Sequence, residues 1–141
     1  MKQELGNLFF HLMRDLMQSH TAMWQKYLPD LTKLQYSVLC VAEKNPGIEQ
    51  HDLTKVVLST KATLAELLVR MEGKDLIKRQ QGISDRRRKF IFITPKGQIA
   101  LNNAKKIVKQ VDDFFLSRLN DQQKKEAVML LKTMIEHSEI I

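Results

Sequence analysis

The segment from residue 85 to residue 93 combines a run of cations with an apolar run typical of a β-strand. Guanidinium and ammonium groups pair with phosphates, and a turn between two strands holds such groups away from the body of a domain. The sequence therefore predicts a hairpin whose basic tip contacts a polyanion, with double-stranded DNA as the expected partner. The predicted contact residues at this tip are Arg86, Arg87, Arg88 and Lys89.

A second cluster, of hydroxyl groups and one lysine, stands at the start of a predicted helix. Such groups in a first helical turn can contact phosphates or base edges, and a helix N-terminus attracts anions. The same hydroxyls can also serve only as helix caps, and the two roles can coexist. The basic hairpin downstream favours the DNA contact, for which the candidates are Ser59, Thr60, Lys61 and Thr63.

The excess positive charge is confined to the middle of the chain. Residues 55–97 contain eleven Lys or Arg and four Asp or Glu, and this surplus of seven equals the formal net charge of the whole chain, +7. A basic module is therefore flanked by electrically balanced segments. A charge run alone is more often a solvated face or a targeting patch, but this partition and the adjoining strand favour a nucleic-acid interface.

Other kinds of site have little support in the sequence. Cys40 is the single cysteine, so no disulfide can form within the chain. Its neighbours are apolar and no resolving cysteine exists, so an inert thiol is expected, with a redox sensor as the alternative. Cys40 and the four histidines lack metal-ligand spacing, and no nucleophile–base pair predicts an enzyme. No cofactor, signal peptide or membrane span is expected, so a cytoplasmic location is the default.

Six helices and one β-hairpin are predicted to position these residues. The helices cover residues 4–28, 32–44, 48–57, about 60–73, 95–118, and a last segment capped by Asn120 and Gln123. The short third helix is predicted to bury Leu53 and Val56. The hairpin strands are residues 76–81 and 89–94. Two short helices joined by a tight turn and followed by a hairpin make a winged helix-turn-helix.

The predicted fold class is mainly α (α+β), with a DNA-binding lobe over residues 31–97. The outer helices carry more apolar surface than a lobe of that size can cover. Residues 1–30 and 98–141 are therefore predicted to form a helical dimerisation region, buried against a second copy of the chain.

Several motifs resemble the MarR family of bacterial transcriptional regulators over essentially the whole chain. The most specific comprises Asp85-Arg86-Arg87, the strand Phe90 to Ile93, and Thr94-Pro95-Lys96-Gly97. Two more are Leu31-Thr32-x-x-Gln35-Tyr36-x-Val38-Leu39 and Leu67-x-x-Arg70-Met71-Glu72-x-Lys74-x-Leu76-Ile77. Three segments resemble the family's HosA branch more closely still. They are His20-Thr21-Ala22-x-Trp24-Gln25, Leu28-Pro29-Asp30-Leu31-Thr32-Lys33 and Ser59-Thr60-Lys61-Ala62-Thr63-Leu64-Ala65-Glu66.

The resemblance implies a homodimeric transcriptional regulator, most often a repressor, that binds a pseudo-palindromic operator and is released by a small aromatic (phenolic) acid. It also implies that Asp85 braces the wing, which is the predicted hairpin of residues 76–94, by pairing with an arginine. Two residues depart from the family pattern. Glu66 stands where many relatives have a basic residue, which predicts that different base edges are read. Asp75 stands at a helix exit where glycine is usual, so the turn must adjust, and Gly73 could supply the freedom.

An aromatic-acid site needs a cation or donor for the carboxylate and aromatic walls for the ring. The candidates on the first two predicted helices are Arg14, His20, Trp24 and Tyr36. Each could equally be a core or dimer-interface residue. Two other functions stay open at this point: a regulator that switches through Cys40, and an architectural protein that binds nucleic acid without sequence preference.

Overall fold

The computed structural model describes residues 4–138 of the 141-residue chain. Helices predominate, and three short strands form one antiparallel sheet in the order β1-β3-β2. The elements are α1 (Leu5–Tyr27), α2 (Lys33–Lys44), β1 (Ile48–Glu49), α3 (Gln50–Val56), α4 (Lys61–Gly73), β2 (Ile77–Gln81), β3 (Lys89–Ile93), α5 (Pro95–Leu116) and α6 (Asp121–Ser138). The predicted fold class, a winged helix-turn-helix with helical extensions, is confirmed.

Local capping sets the helix boundaries at the positions that the sequence predicted. Thr32 and Gln35 form a reciprocal capping box at the start of α2. The Thr60 hydroxyl accepts a hydrogen bond from the Thr63 backbone N–H at the start of α4. The lobe's core lies between α2, α3, α4 and the sheet, and Leu101 of α5 packs into it. The lobe's own fully buried side chains are Val38, Leu39, Ala42, Leu53, Leu64, Leu68, Met71 and Ile91.

The third predicted helix starts two residues too early in the sequence-based assignment. Ile48 and Glu49 form strand β1 and pair with β3, so that Ile48 lies opposite Ile91. Gly47 makes this turn possible, because its φ of +80° suits glycine and its N–H donates to the Ile91 carbonyl at 2.9 Å. The prediction that Val56 points inward was also wrong, since it is 57% exposed at the end of α3.

Two residues without glycine's freedom adopt left-handed backbone in the lobe. Asp75 has φ of 59°, and the Thr94 hydroxyl donates to its carbonyl at 2.5 Å. The turn after α4 is therefore made by Asp75 itself and not by Gly73, which corrects the sequence-based suggestion. Leu58 also has φ of 59°, in the turn that joins α3 to α4, and its side chain is 93% exposed. A leucine in this conformation costs about 1–2 kcal/mol without any packing to offset it.

The junction between wing and long helix depends on Gly97. Thr94 caps α5 by accepting from the Gly97 N–H at 2.9 Å, and Pro95 occupies the first helical position. A Cβ on Gly97 would lie 2.0 Å from the Leu76 carbonyl oxygen. Close approach of α5 to the start of β2 therefore requires glycine here, and this contact anchors the lobe to the long helix.

The outer helices leave large apolar side chains uncovered in the single chain. On α1, α5 and α6 these include Phe9, Phe10, Leu12, Leu16, Phe114, Leu130, Leu131 and Met134, each at least 40% exposed. The predicted dimerisation region includes residues 1–3 and 139–141, which lie outside the described residues. No helix in the range 4–138 is long and apolar enough to span a membrane.

Candidate nucleic-acid interface and ligand pocket

The first turn of α4 presents cationic and hydroxyl groups at the surface. Ser59 donates its hydroxyl to the Thr60 carbonyl at 3.2 Å, and the Thr60 oxygen is already used as the helix cap. Lys61 and Thr63 are exposed, and no ion pair to Lys61 occurs between residues 4 and 138. The capping role of Thr60 is therefore observed, and Lys61 beside it is a free cation, so capping leaves the predicted DNA contact open.

At the wing tip, Asp85 and Arg87 form a compact turn. The Asp85 carboxylate accepts from the Arg87 backbone N–H at 3.0 Å and from its Nε at 3.1 Å. These hydrogen bonds from Arg87 hold the pKa of the Asp85 carboxyl below its usual value. The Arg87 side chain is nevertheless 92% exposed, so the pair fixes the direction of the guanidinium without covering it.

Arg88 is turned back onto the sheet. Its Nε and a terminal nitrogen donate to Glu49 at 3.0 and 3.1 Å, and its guanidinium lies 5.1 Å from the centre of the Phe90 ring. The hydrogen bond and the charge of Glu49 raise the pKa of Arg88. Arg86 and Lys89 are exposed and make no ion pair with any described residue. Of the four predicted contacts, Arg86 and Lys89 are therefore free cations, Arg87 is held by Asp85, and Arg88 ties the wing to β1.

Three of the four predicted ligand-site residues lie together between α1 and α2. Ring centres of His20 and Trp24 are 6.1 Å apart, and those of Trp24 and Tyr36 are 5.4 Å apart. Trp24 is buried and its indole N–H donates to the Leu31 carbonyl at 2.7 Å. Phe115 from α5 adds a fourth ring, 5.5 Å from His20. The cluster therefore sits where the outer helices meet the beginning of the lobe.

Some polar groups around these rings have hydrogen-bond partners, and one buried nitrogen has none among residues 4–138. His20 Nε2 lies 2.7 Å from Asp112 Oδ1, whereas His20 Nδ1 is buried and has no partner within the described chain. The Lys33 ammonium donates to the Thr21 hydroxyl at 2.8 Å, and burial lowers the pKa of Lys33. Burial, followed by a hydrogen bond with the Cys40 thiol, raises the pKa of Tyr36 to about 12. The phenol of Tyr36 is therefore neutral at physiological pH.

Next to the ring cluster, an open groove of about 490 Å³ runs between α2 and α5. Tyr36 and Cys40 line one side, and Lys105, Lys109 and Asp112 line the other. Cys40 is half-buried and packs against the core of the lobe. Residues 4–138 contain no group of histidine, cysteine and carboxylate side chains that could hold a metal ion.

Arg14 is separated from the other three ligand-site candidates. It lies on α1 in a shallow recess with His11, Asp15 and Gln18. Sequence analysis also missed Asp112 and Phe115, which approach His20 from α5. The sequence carried no signal for Asp112, because its side chain is 43% exposed and it lies 92 residues from His20.

Comparisons with known proteins agree with this architecture. Residues 31–89 match the model of the MarR family. The chain is 45% identical over 131 residues to the transcriptional regulator HosA of Escherichia coli O157:H7, which covers 93% of this chain and 97% of HosA. The crystal structure of the PcaV transcriptional regulator from Streptomyces coelicolor with its natural ligand has a TM-score of 0.89 at 22% identity and covers 98% of this chain and 99% of PcaV. Bordetella bronchiseptica BpsR, whose DNA binding is regulated by 6-hydroxynicotinic acid, has a TM-score of 0.83 at 26% identity, with 90% and 98% covered.

Proposed function

The chain belongs to the MarR family of transcriptional regulators, and we propose that it is a homodimeric repressor that a small aromatic acid releases from DNA. Each lobe, residues 31–97, places α4 in a major groove and the wing along the neighbouring backbone. Two-fold symmetry then requires a pseudo-palindromic operator with half-sites about one helical turn apart. The observation that carries this proposal is the presence of exposed cations, unpaired within the described chain, both at the start of α4 and on the wing.

Contact with DNA is supported by the distribution of unpaired charge. Lys61 at the start of α4 is exposed and unpaired among the described residues, as are Arg86 and Lys89 on the wing. Arg87 adds a guanidinium that Asp85 orients toward solvent. Cations of this kind replace condensed counterions on DNA, so each one that meets a phosphate strengthens binding at low salt.

Homodimerisation is supported by the uncovered apolar faces of α1, α5 and α6. Monomeric proteins rarely leave such contiguous apolar surface exposed to water. A second copy of the chain is the partner that buries it, because an isologous interface uses the same faces twice. Under this proposal, the outer helices at residues 4–30 and 98–138 fix the distance between the two lobes. Sedimentation at micromolar concentration tests this, with a dimer expected and a stable monomer contradicting it.

An aromatic-acid effector is supported by the ring cluster of His20, Trp24, Tyr36 and Phe115. His20 Nδ1 is an unsatisfied buried group, and a phenolic hydroxyl is the kind of donor that could satisfy it. Lys33 is the cation beside this cluster and can pair with a carboxylate, whereas Arg14 of the same chain lies apart. We therefore assign carboxylate binding to Lys33 in preference to Arg14. BpsR, with a heteroaromatic hydroxy acid as its regulator, is a related precedent.

Release from DNA follows if the ligand favours a lobe position that does not match the operator. The cluster joins three elements: His20 contacts Asp112 on α5, and Trp24 holds the Leu31 carbonyl at the start of the lobe. A ligand between these groups changes how the lobe sits on the outer helices. Only a difference in affinity between the two lobe positions can shift their populations.

His20→Phe tests the ligand assignment, because phenylalanine keeps a ring against Trp24 and removes Nδ1. Affinity for a hydroxybenzoic acid should fall by about 5- to 10-fold, the value of one hydrogen bond of about 1–1.4 kcal/mol. Benzoic acid, which lacks the hydroxyl, should lose little affinity. Equal losses for both acids by calorimetry would contradict the proposed role of His20, and binding of neither acid to the wild type would remove the effector proposal.

The remaining candidate functions have weaker support. Cys40 has no second cysteine with which to form a disulfide within the chain, so a thiol switch lacks a resolving partner. A non-specific architectural protein would bind an operator and a random duplex equally at the same salt concentration. Competition between those two DNAs therefore separates it from the regulator proposed above.

A further inference from the structure

Glu66 is an unpaired carboxylate on the helix proposed to enter the major groove. It lies on α4, where Leu64, Leu67, Leu68 and Met71 form the buried stripe. At about 100° per residue, this spacing places Glu66 nearly opposite that stripe, so its side chain points away from the lobe. The residue is exposed, and between residues 4 and 138 no hydrogen bond or ion pair holds its carboxylate.

Three other carboxylates of the lobe are occupied by arginines. Glu72, on the same helix, accepts from Arg79 at 3.0 Å. Asp85 accepts from Arg87 at 3.1 Å, and Glu49 accepts from Arg88 at 3.0 Å. Each of these pairs neutralises a negative charge that would otherwise repel a phosphate backbone. Glu66 keeps its charge free at the centre of the outward face, so a structural ion pair does not explain its presence there.

A carboxylate in a major groove discriminates strongly among base edges. It accepts hydrogen bonds only, and the donors available are the amino groups of cytosine N4 and adenine N6. Adenine also presents N7, and guanine and thymine present only acceptors at O6, N7 and O4, all of which repel a carboxylate. Cytosine N4 is therefore the base group that suits Glu66 best.

The neighbours of Glu66 on the outward face leave this contact unobstructed. Ala62 is one turn earlier and Val69 is one turn later, and both are exposed. Neither of these two side chains can hydrogen-bond to a base or neutralise the carboxylate. Arg70, one turn later at i+4, is an exposed cation, but no ion pair joins it to Glu66 within residues 4–138. Small apolar groups beside it are compatible with close approach of the helix to the groove and with contact to thymine methyl groups.

From this geometry we propose that Glu66 is a specificity-determining residue that reads one cytosine in each half-site. The inference rests on the proposed function, because it requires that α4 enters the major groove of a specific operator. Replacing the C·G pair at that position in one half-site should weaken wild-type binding between about 5-fold and 150-fold, the range of a good base contact.

Selection from a random duplex library tests the inference with three proteins: the wild type, Glu66→Gln and Glu126→Gln. Glu126 lies on α6 and is exposed, so its substitution removes the same charge far from the lobe. Wild type and Glu126→Gln should enrich the same palindrome with an invariant cytosine in each half. Glu66→Gln should keep the remaining positions but change that cytosine, with adenine favoured because an amide pairs with both N6 and N7.

The outcomes distinguish failure of the Glu66 proposal from failure of the proposed regulator function. A wild-type palindrome that Glu66→Gln enriches unchanged at every position would overturn the reading role of Glu66 and leave the regulator intact. A wild type that binds the library but enriches no sequence would overturn the proposed operator binding, and the role of Glu66 with it. If Glu126→Gln changed the base preference as much as Glu66→Gln does, the loss of one negative charge would explain both results. That outcome would also overturn the inference.

Discussion

Arg86→Ala removes an exposed wing cation that no described carboxylate holds. If Arg86 meets one phosphate in each protomer, the substitution removes two contacts per dimer. The log–log salt slope should then become less steep by about 1.8, since each phosphate contact contributes about 0.9. At about 0.15 M salt, one contact corresponds to about 0.7 in log K, or about 1 kcal/mol. Operator affinity should therefore fall by about 2 kcal/mol per dimer, close to 30-fold.

Fluorescence anisotropy of a labelled operator, titrated at four or five salt concentrations, measures both quantities in one series. Lys106→Ala is the matched control, because Lys106 is an exposed cation on α5 without a described ion pair and lies outside the lobe. Its slope should stay within error of the wild-type slope. Arg86→Ala and Lys106→Ala with the same slope would refute the wing contact, because net charge alone would then account for binding.

Three further predictions concern stability and assembly. Leu58→Gly should raise the free energy of unfolding by about 0.5–1 kcal/mol, because relief of the left-handed strain exceeds the entropy cost of glycine. Chemical denaturation measures this change, and a lower free energy of unfolding would contradict strain in the turn. The hydrogen bonds from Arg79 lower the pKa of Glu72, so its contribution to stability is present at neutral pH and lost as the pH falls through that lowered value. Glu72→Gln should accordingly lose less stability than the wild type between pH 7 and pH 3, and parallel curves would show that the pair is unimportant. Leu130→Glu, on the exposed apolar face of α6, should weaken the dimer by at least 10-fold in sedimentation, and an unchanged dimer would remove α6 from the interface.

The features that sequence analysis predicted are those that short segments specify. The Thr32, Thr60 and Thr94 caps each bond to a backbone N–H three residues later, so their signals lie within one turn of helix. The basic hairpin is equally local. Its tip pair, Asp85 with Arg87, spans only two residues, and the family resemblance implied that Asp85 pairs with an arginine.

The features that were missed depend on residues far apart in the chain. Strand β1 has only two residues and exists because β3, more than forty residues later, pairs with it. A separation of 39 residues likewise hid the ion pair of Arg88 with Glu49, which occupies one of the predicted DNA-contact residues. Asp112, ninety-two residues from His20, could not be assigned to the ligand site by spacing. Arg14 shares a helix with His20, but spacing along that helix does not show that it lies in a different recess.

Displacement of the protein from its selected operator by aromatic acids tests the account most directly. At fixed salt, mono- and dihydroxybenzoic acids are titrated into the complex, with benzoic acid as the control and thermal melting of the free protein measured in parallel. We predict that at least one hydroxylated acid raises the melting temperature and releases the DNA, and that benzoic acid does so more weakly. A specific protein–operator complex that no acid in the panel weakens, with the melting temperature unchanged, would contradict it.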